Sequence, residues 1–83
     1  MRPEFITVGT VVNAHGVRGE VKVNPVGFDP AFIAAFRTLY IGGTETKVTA
    51  ARVHKSTVLL TLPGVDTMDD ALALKGRSVA IRR

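Results

Sequence analysis

The stretch Asn13–Val23, which reads Asn-Ala-His-Gly-Val-Arg-Gly-Glu-Val-Lys-Val, decides the fold of this chain. It places two glycines, Gly16 and Gly19, three residues apart between two apolar segments. Because glycine adopts positive φ without steric cost, this pair predicts a tight turn. The residues that such a turn presents at its tip are His15, Val17 and Arg18. From Glu20 onward, polar and apolar residues alternate, which is typical of a half-buried strand. The stretch therefore predicts a strand–loop–strand unit with a basic loop.

The segments on either side of this turn predict the first two strands. Residues 5–13 carry apolar side chains on both parities, so we expect a central strand that is covered on both faces. Gly9, in its middle, predicts a bend or a close backbone approach. Residues 20–25 alternate, with Val21 and Val23 facing inward. The outward residues of this second strand are Glu20, Lys22 and Asn24, so a surface ion pair could neutralise Lys22.

Two short helices are predicted by their capping residues. Asp29 is suited to the N-cap of the first, and Pro30 to its first position, where a missing N–H costs nothing. The apolar stripe that would plug an open barrel end consists of Phe32, Ile33 and Phe36. Thr67 is suited to the N-cap of the second helix, and Asp70 stands three residues on, as in a capping box. Gly76 has the residue type that ends such helices.

Further alternation predicts four more strands, which cover residues 38–41, 45–55, 58–62 and the segment around Val79 and Ile81. Gly42–Gly43 predicts a hairpin turn, and the parity of apolar residues slips at Ala50–Ala51, which predicts a β-bulge. Six short strands with glycine turns indicate a small closed barrel. Periodicity alone does not choose six strands over a five-stranded OB-like topology. The residues expected to be most buried are Val8, Val21, Val23, Leu60 and Val79.

Several runs of the sequence resemble the family of ribosome maturation factors called RimM. The runs are Val8–Val12, His15–Val23, Phe28–Pro30 with Phe32, Leu39–Ile41, Val53–Lys55, Val58–Leu60, Ala71–Leu72 and Leu74–Gly76. They occur in the family's order and cover nearly all 83 residues. Two departures are present. The family usually has a Thr-Asp pair where this chain has Gly27-Phe28-Asp29, and it continues into a second barrel domain, of the PRC type, where this chain ends at Arg83.

This resemblance implies both a fold and a function. The implied fold is an all-β, six-stranded closed barrel of the translation-factor (reductase/isomerase/elongation factor) type with two short helices. The implied function is non-catalytic assistance to maturation of the small ribosomal subunit and processing of 16S rRNA, in the cytoplasm and without a cofactor. The implied partners are 16S rRNA and, in the subunit head, small-subunit protein nineteen, and we expect a monomer. The resemblance also predicts that residues 1–83 are one domain of a longer protein, which a stop codon directly after Arg83 in the gene would refute.

Composition narrows the classes of function. Eighty-three residues make one domain with a small core, and the absence of cysteine excludes disulfides and cysteine-based zinc sites. No stretch has the length of a membrane span or the layout of a signal peptide. A net charge of +4 suggests an anionic partner, although it also serves solubility. The acidic residues form no acid/base pair, and His15 and His54 lack metal-ligand spacing, so neither an enzyme nor a metal site is predicted.

The candidate residues for binding a partner or RNA are His15, Gly16, Val17, Arg18, Gly19, Lys22, Arg52 and Lys55. Arginine offers a planar fork of donors suited to phosphate, and Arg52 shares an outward face with His54. The alternative is a plain turn in which Arg18 is merely solvated. Most of the aromatic residues are expected in the core, so base stacking is not predicted. Two other functions remain open: a general RNA-binding OB-like barrel, and a ligand-binding barrel of a larger enzyme, which ligand-induced stabilisation would reveal.

Overall fold

A computed structural model of the chain describes residues 5–16 and 19–82. The strands are β1 (Phe5–His15), β2 (Glu20–Pro25), β3 (Thr38–Ile41), β4 (Thr44–Lys47), β5 (Ala50–His54), β6 (Thr57–Thr61) and β7 (Ser78–Arg82). The helices are α1 (Pro30–Ala34), between β2 and β3, and α2 (Met68–Leu72), between β6 and β7. The predicted all-β class with two short helices is confirmed.

The seven strands form one curled sheet in the order β4-β3-β7-β1-β2-β6-β5. Every neighbouring pair is antiparallel. This curled half-barrel has two edges, β4 and β5, and differs from the six-stranded closed barrel that the sequence predicted. The difference arises at a single connection, between β4 and β5.

The predicted strand 45–55 is two strands because its backbone changes partner at Val48 and Thr49. The N–H of Val48 donates to the carbonyl of Arg37 at 2.7 Å, whereas that of Thr49 donates to the carbonyl of Thr61 at 2.8 Å. β4 therefore pairs with β3, and β5 pairs with β6. The bulge predicted at Ala50–Ala51 is wrong, since β5 and β6 pair in continuous register. The slip in the parity of apolar residues arises instead from the break between β4 and β5.

Strand β1 is central, as predicted, and Gly9 permits its close approach to β2. A Cβ on Gly9 would lie 2.8 Å from the carbonyl oxygen of Asn24, so only glycine allows β1 to approach β2 this closely. The pairing of β1 with β7 shifts register between Thr7 and Gly9. The second face of β1 is less covered than predicted, because Phe5 and Val12 are exposed.

The core is aliphatic. The five residues that the sequence placed innermost (Val8, Val21, Val23, Leu60 and Val79) are each 0% exposed, which confirms their inward parity. Other members are Val11, Ile33, Leu39, Ile41, Val58, Leu62, Ala71 and Ile81. The expectation that most aromatic residues are buried is wrong: Phe5, Phe28 and Phe32 are exposed, and Phe36 and Tyr40 are only half-buried. A domain of this size has much surface for its volume, and branched aliphatic side chains already fill its interior.

Both helices begin where the sequence predicted, but their caps differ. Asp29 occupies the N-cap of α1 without any side-chain capping hydrogen bond. At α2, the hydroxyl of Thr67 accepts from the N–H of Asp70 at 3.2 Å, and the Asp70 carboxylate accepts from the N–H of Asp66 at 3.3 Å. Gly76 has φ +89° and ends the turns after α2, where its N–H donates to the carbonyl of Val11 at 2.8 Å.

Candidate partner-binding surface

The outer side of β1, β2, β6 and β5 carries a polar face, which we define as His15, Glu20, Lys22, Arg52 and His54. Register shows that they share one side of the sheet. His15 is directly opposite Glu20 on β2, and residues directly opposite each other in an antiparallel pair project from the same face. Lys22 and Arg52 are both directly opposite one residue of β6, Leu59. Alternation along β2 and β5 then places Glu20 and His54 on this side too.

Leu59 forms the floor of the polar face. It is 0% exposed yet lies outside the cluster of core residues, because its parity points it away from Leu60 and Val58. Lysine and arginine can lay their apolar stems along a surface while their charged ends stay in water. Because Lys22 and Arg52 stand directly opposite Leu59 on its two sides, we infer that their stems cover it.

Glu20 and Arg52 form an ion pair on this face. The guanidinium Nε donates to one carboxylate oxygen at 3.3 Å and Nη2 donates to the other at 3.1 Å. These hydrogen bonds, and then the negative charge of Glu20, raise the pKa of Arg52 above its ordinary value. The sequence allowed Glu20 to pair with Lys22. In the structure its partner is Arg52, because β2 and β5 both neighbour β6 and the two long side chains reach each other across that one strand.

The two histidines also meet on this face. The ring centroids of His15 and His54 are 5.4 Å apart, with 47° between the ring planes. Their strands are separated in the sheet by β2 and β6, so this contact requires a strongly coiled sheet. Within residues 5–16 and 19–82, no group of three or more histidine, cysteine or acidic residues is arranged to hold a metal ion.

The turn between β1 and β2 contains residues with different roles. Gly16 has φ +73° and faces open space, whereas Gly19 has φ +82° and is buried against the start of α2. A Cβ on Gly19 would lie 2.6 Å from the carbonyl oxygen of Thr67. Gly19 is therefore a packing residue. The prediction that His15 stands at the tip of the turn is wrong, because it is the last residue of β1 and pairs with Glu20, whereas Val17 and Arg18, the other predicted tip residues, lie outside the described residues.

The structure brings together His15, Lys22 and Arg52 among the predicted candidates. Lys55 follows His54 in the turn between β5 and β6 and has φ +57°. Sequence reasoning missed Glu20 and Leu59 as parts of this surface. The outward parity of Glu20 was readable from alternation, but its partner was not, since no local pattern specifies a contact across an intervening strand.

Among the described residues, no helix is long and apolar enough to cross a membrane.

The fold and the surface define the class of this chain: a small all-β domain built on one curled antiparallel sheet. The chain belongs to the RimM N-terminal domain family, whose pattern it matches over residues 6–83.

Individual relatives agree with this assignment. The chain is 36% identical over 76 residues to a ribosome maturation factor RimM of Clostridium beijerinckii, which covers 92% of this chain and 46% of the relative. It is 31% identical over 80 residues to one from Clostridium botulinum, covering 96% of this chain and 49% of the relative. The chain thus spans about half the length of the curated relatives it matches.

Two solved structures are similar. The crystal structure of a 16S ribosomal RNA processing protein RimM from Pseudomonas aeruginosa superposes with a TM-score of 0.83 and 26% identity, covering 95% of this chain and 51% of that one. The solution structure of the N-terminal domain of RimM from Thermus thermophilus has a TM-score of 0.78 and 18% identity, covering 99% of this chain and 91% of that one. The second likeness concerns the fold alone.

Proposed function

We propose that this domain assists maturation of the small ribosomal subunit and processing of 16S rRNA by binding, without making or breaking a bond. Membership of the RimM N-terminal domain family supports this proposal, as do relatives named ribosome maturation factor and 16S ribosomal RNA processing protein. The domain acts in the cytoplasm, in the head of the subunit, where 16S rRNA and small-subunit protein nineteen are its partners. It acts as a monomer and holds these components in a productive arrangement before it leaves.

The observation that carries a binding role is the gathering of basic and imidazole side chains from three strands on the polar face. His15 comes from β1, Lys22 from β2, and Arg52 and His54 from β5. Lys55 adds a charge at the adjoining turn. Cationic side chains on one face provide the electrostatic footprint that RNA phosphates require.

Within this footprint, Lys22 and Lys55 are the primary phosphate ligands. One edge of the Arg52 guanidinium is already engaged, because Nε and Nη2 both donate to Glu20, whose negative charge also offsets that of Arg52. Arg52 can contribute fully to an RNA contact only after Glu20 releases it. The lysines carry the same charge on flexible stems, so each can place its ammonium group against a phosphate as a point charge.

The test is co-sedimentation of the purified domain with assembling small subunits over a series of salt concentrations. A double variant, Lys22→Gln with Lys55→Asn, removes two charges, and asparagine tolerates the positive φ of residue 55. If each lysine contacts one phosphate, the salt slope of binding should fall by about two. Lys47→Gln, on β4 at the far edge of the sheet, is the matched control and should leave the slope unchanged.

Two results would count against this proposal. Equal salt slopes for wild type and the double variant would show that the polar face does not contact RNA phosphates. Binding to free single-stranded RNA as strong as binding to assembling subunits would instead indicate a general RNA-binding module. The full-length Pseudomonas aeruginosa relative serves as the positive control for the subunit preparation.

A further inference from the structure

A second surface, outside the polar face, is built from aromatic residues at the start of α1. Phe28 and Phe32 stack with ring centroids 5.2 Å apart and 14° between their planes. Phe36 meets the edge of Phe32 at 5.1 Å and 80°. Phe28 is 37% exposed and Phe32 is 41% exposed, so large aromatic areas face solvent beside each other.

These two rings line an open hollow of about 500 Å³ together with Gly27 and Asp29. We name it the Phe28–Phe32 hollow. Gly27 has φ +77°, a conformation suited to glycine, and this turn carries the chain from β2 into α1.

Asp29 supplies the charge of the hollow, since the other described residues that line it are a glycine and two phenylalanines. The sequence predicted that its carboxylate would cap α1, but the structure shows no such hydrogen bond. Asp29 is exposed. Its carboxylate is therefore an exposed acceptor in the lining of the hollow and makes no capping hydrogen bond to α1.

We propose that the Phe28–Phe32 hollow binds an arginine side chain presented by a basic segment of a partner protein. The face of an aromatic ring is electronegative and attracts cations, and a carboxylate adds a charge of the complementary sign. A guanidinium satisfies both at once, since its plane stacks on a ring while its donor fork reaches the carboxylate. A lysine ammonium group has the same charge, but it lacks the planar shape that stacks on a ring and the forked donors that reach a carboxylate.

The same chemistry disfavours a nucleotide in this hollow. A stacked base would bring its phosphate towards Asp29, and the described residues that line the hollow include no lysine or arginine to compensate. Sites that stack single-stranded nucleic acid combine aromatic residues with a basic groove. Here the aromatic residues stand with an acidic one, so the charge selects a cation. The inference concerns a different surface from the proposed RNA contact and does not depend on it.

The test uses the tripeptide acetyl-Gly-Arg-Gly-amide as the probe and follows the backbone amide resonances of the 15N-labelled domain. Shifts should concentrate at Gly27, Phe28, Asp29 and Phe32. Citrulline in place of arginine keeps the shape and removes the charge, and it should bind about fivefold more weakly or worse. Asp29→Asn should give a similar loss, as should Phe32→Leu, which keeps an apolar side chain but removes the ring.

Asp69→Asn is the matched control, because it removes an exposed carboxylate of α2 that does not line the hollow. It should leave arginine binding unchanged. Equal binding of the citrulline and arginine peptides would overturn the proposal, as would shifts that survive both Asp29→Asn and Phe32→Leu in folded protein. Larger shifts of the same residues with hexauridylate would show a nucleobase site instead. Failure here leaves the salt-dependent subunit binding of the polar face intact, so the two proposals fail separately.

Discussion

Arg52 holds Glu20 with two hydrogen bonds, although β6 lies between their strands. Both donors come from one guanidinium and both acceptors from one carboxylate, so the pair fixes two side chains in one geometry. The Arg52 side chain is 58% exposed and that of Glu20 is 23% exposed. Exposed ion pairs add little to folding stability. The main consequence is for binding, because the carboxylate of Glu20 offsets the charge of Arg52 and engages one edge of its guanidinium.

Replacing Glu20 with glutamine should therefore strengthen binding to RNA. The substitution removes the negative charge that engages Arg52 and leaves a side chain of nearly the same shape. If Arg52 then contacts a phosphate, the salt slope for binding to a 16S rRNA fragment should steepen by about one. The thermal midpoint should change little. Glu45→Gln, on β4, is the control for a general gain of charge. Weaker binding by Glu20→Gln would show that the intact pair itself contacts the partner.

Leu59 should matter to stability as much as the core leucine beside it. Both Leu59 and Leu60 are 0% exposed, on opposite faces of β6. Truncation of a buried leucine to alanine costs about 2–5 kcal/mol, a large share of the stability of a small domain. Urea denaturation of Leu59→Ala and Leu60→Ala should give losses in this range. Leu72→Ala, at an exposed position of α2, should cost far less. If Leu59→Ala had the same urea midpoint as the wild type, the side chains of the polar face would not shield Leu59 from water.

The two glycines of the β1–β2 turn should respond differently to substitution. A non-glycine residue held at positive φ costs about 1–3 kcal/mol, so Gly16→Val should destabilise the domain by that amount and disturb binding through the turn. Gly19→Ala should be worse, because its Cβ would also lie 2.6 Å from the carbonyl oxygen of Thr67. Thermal melts of both variants test the order. A larger loss of thermal stability for Gly16→Val than for Gly19→Ala would mean that the start of α2 can shift to accommodate a side chain at residue 19.

Arg18 remains a predicted recognition residue. Arg18 lies outside the described residues, and nearby Gly16 is exposed with open space around it. Arg18→Ala should change stability by less than about 0.5 kcal/mol, since surface substitutions away from special features usually do. Binding to assembling subunits should weaken, and its salt slope should fall by about one. Unfolding of Arg18→Ala, together with wild-type binding that ignores salt, would make Arg18 structural.

Much of the local structure was readable from residues 5–62. Alternation located β1, β2, β3 and β6, and its parity identified Val21, Val23 and Leu60 as core. The glycine pair at Gly42–Gly43 located the hairpin between β3 and β4, and both residues have positive φ. These predictions succeeded because turn conformation and strand parity depend on residues that are adjacent in sequence.

Predictions that needed a non-local partner were less successful. Alternation alone could not show that Val48 would stay with β3 while Thr49 turned to β6, so strand 45–55 was predicted as one. Nor could the apolar character of Phe28 and Phe32 show that aliphatic residues would occupy the core in their place. The carboxylate of Asp29 was assigned to a cap by position, yet it makes no capping bond.

The sequence by itself therefore determined the all-β class, the tight turns and the inward residues of the core strands, since each follows from backbone preference and polarity over a few residues. Tertiary structure decided which outward residues meet. The order of the strands placed Arg52 within reach of Glu20, the coiled sheet brought His15 to His54, and Leu59 is buried on the same side of the sheet. Sheet coil and register arise from the packing of all strands together. For this reason the single stretch Asn13–Val23 could predict a turn but not the surface beside it.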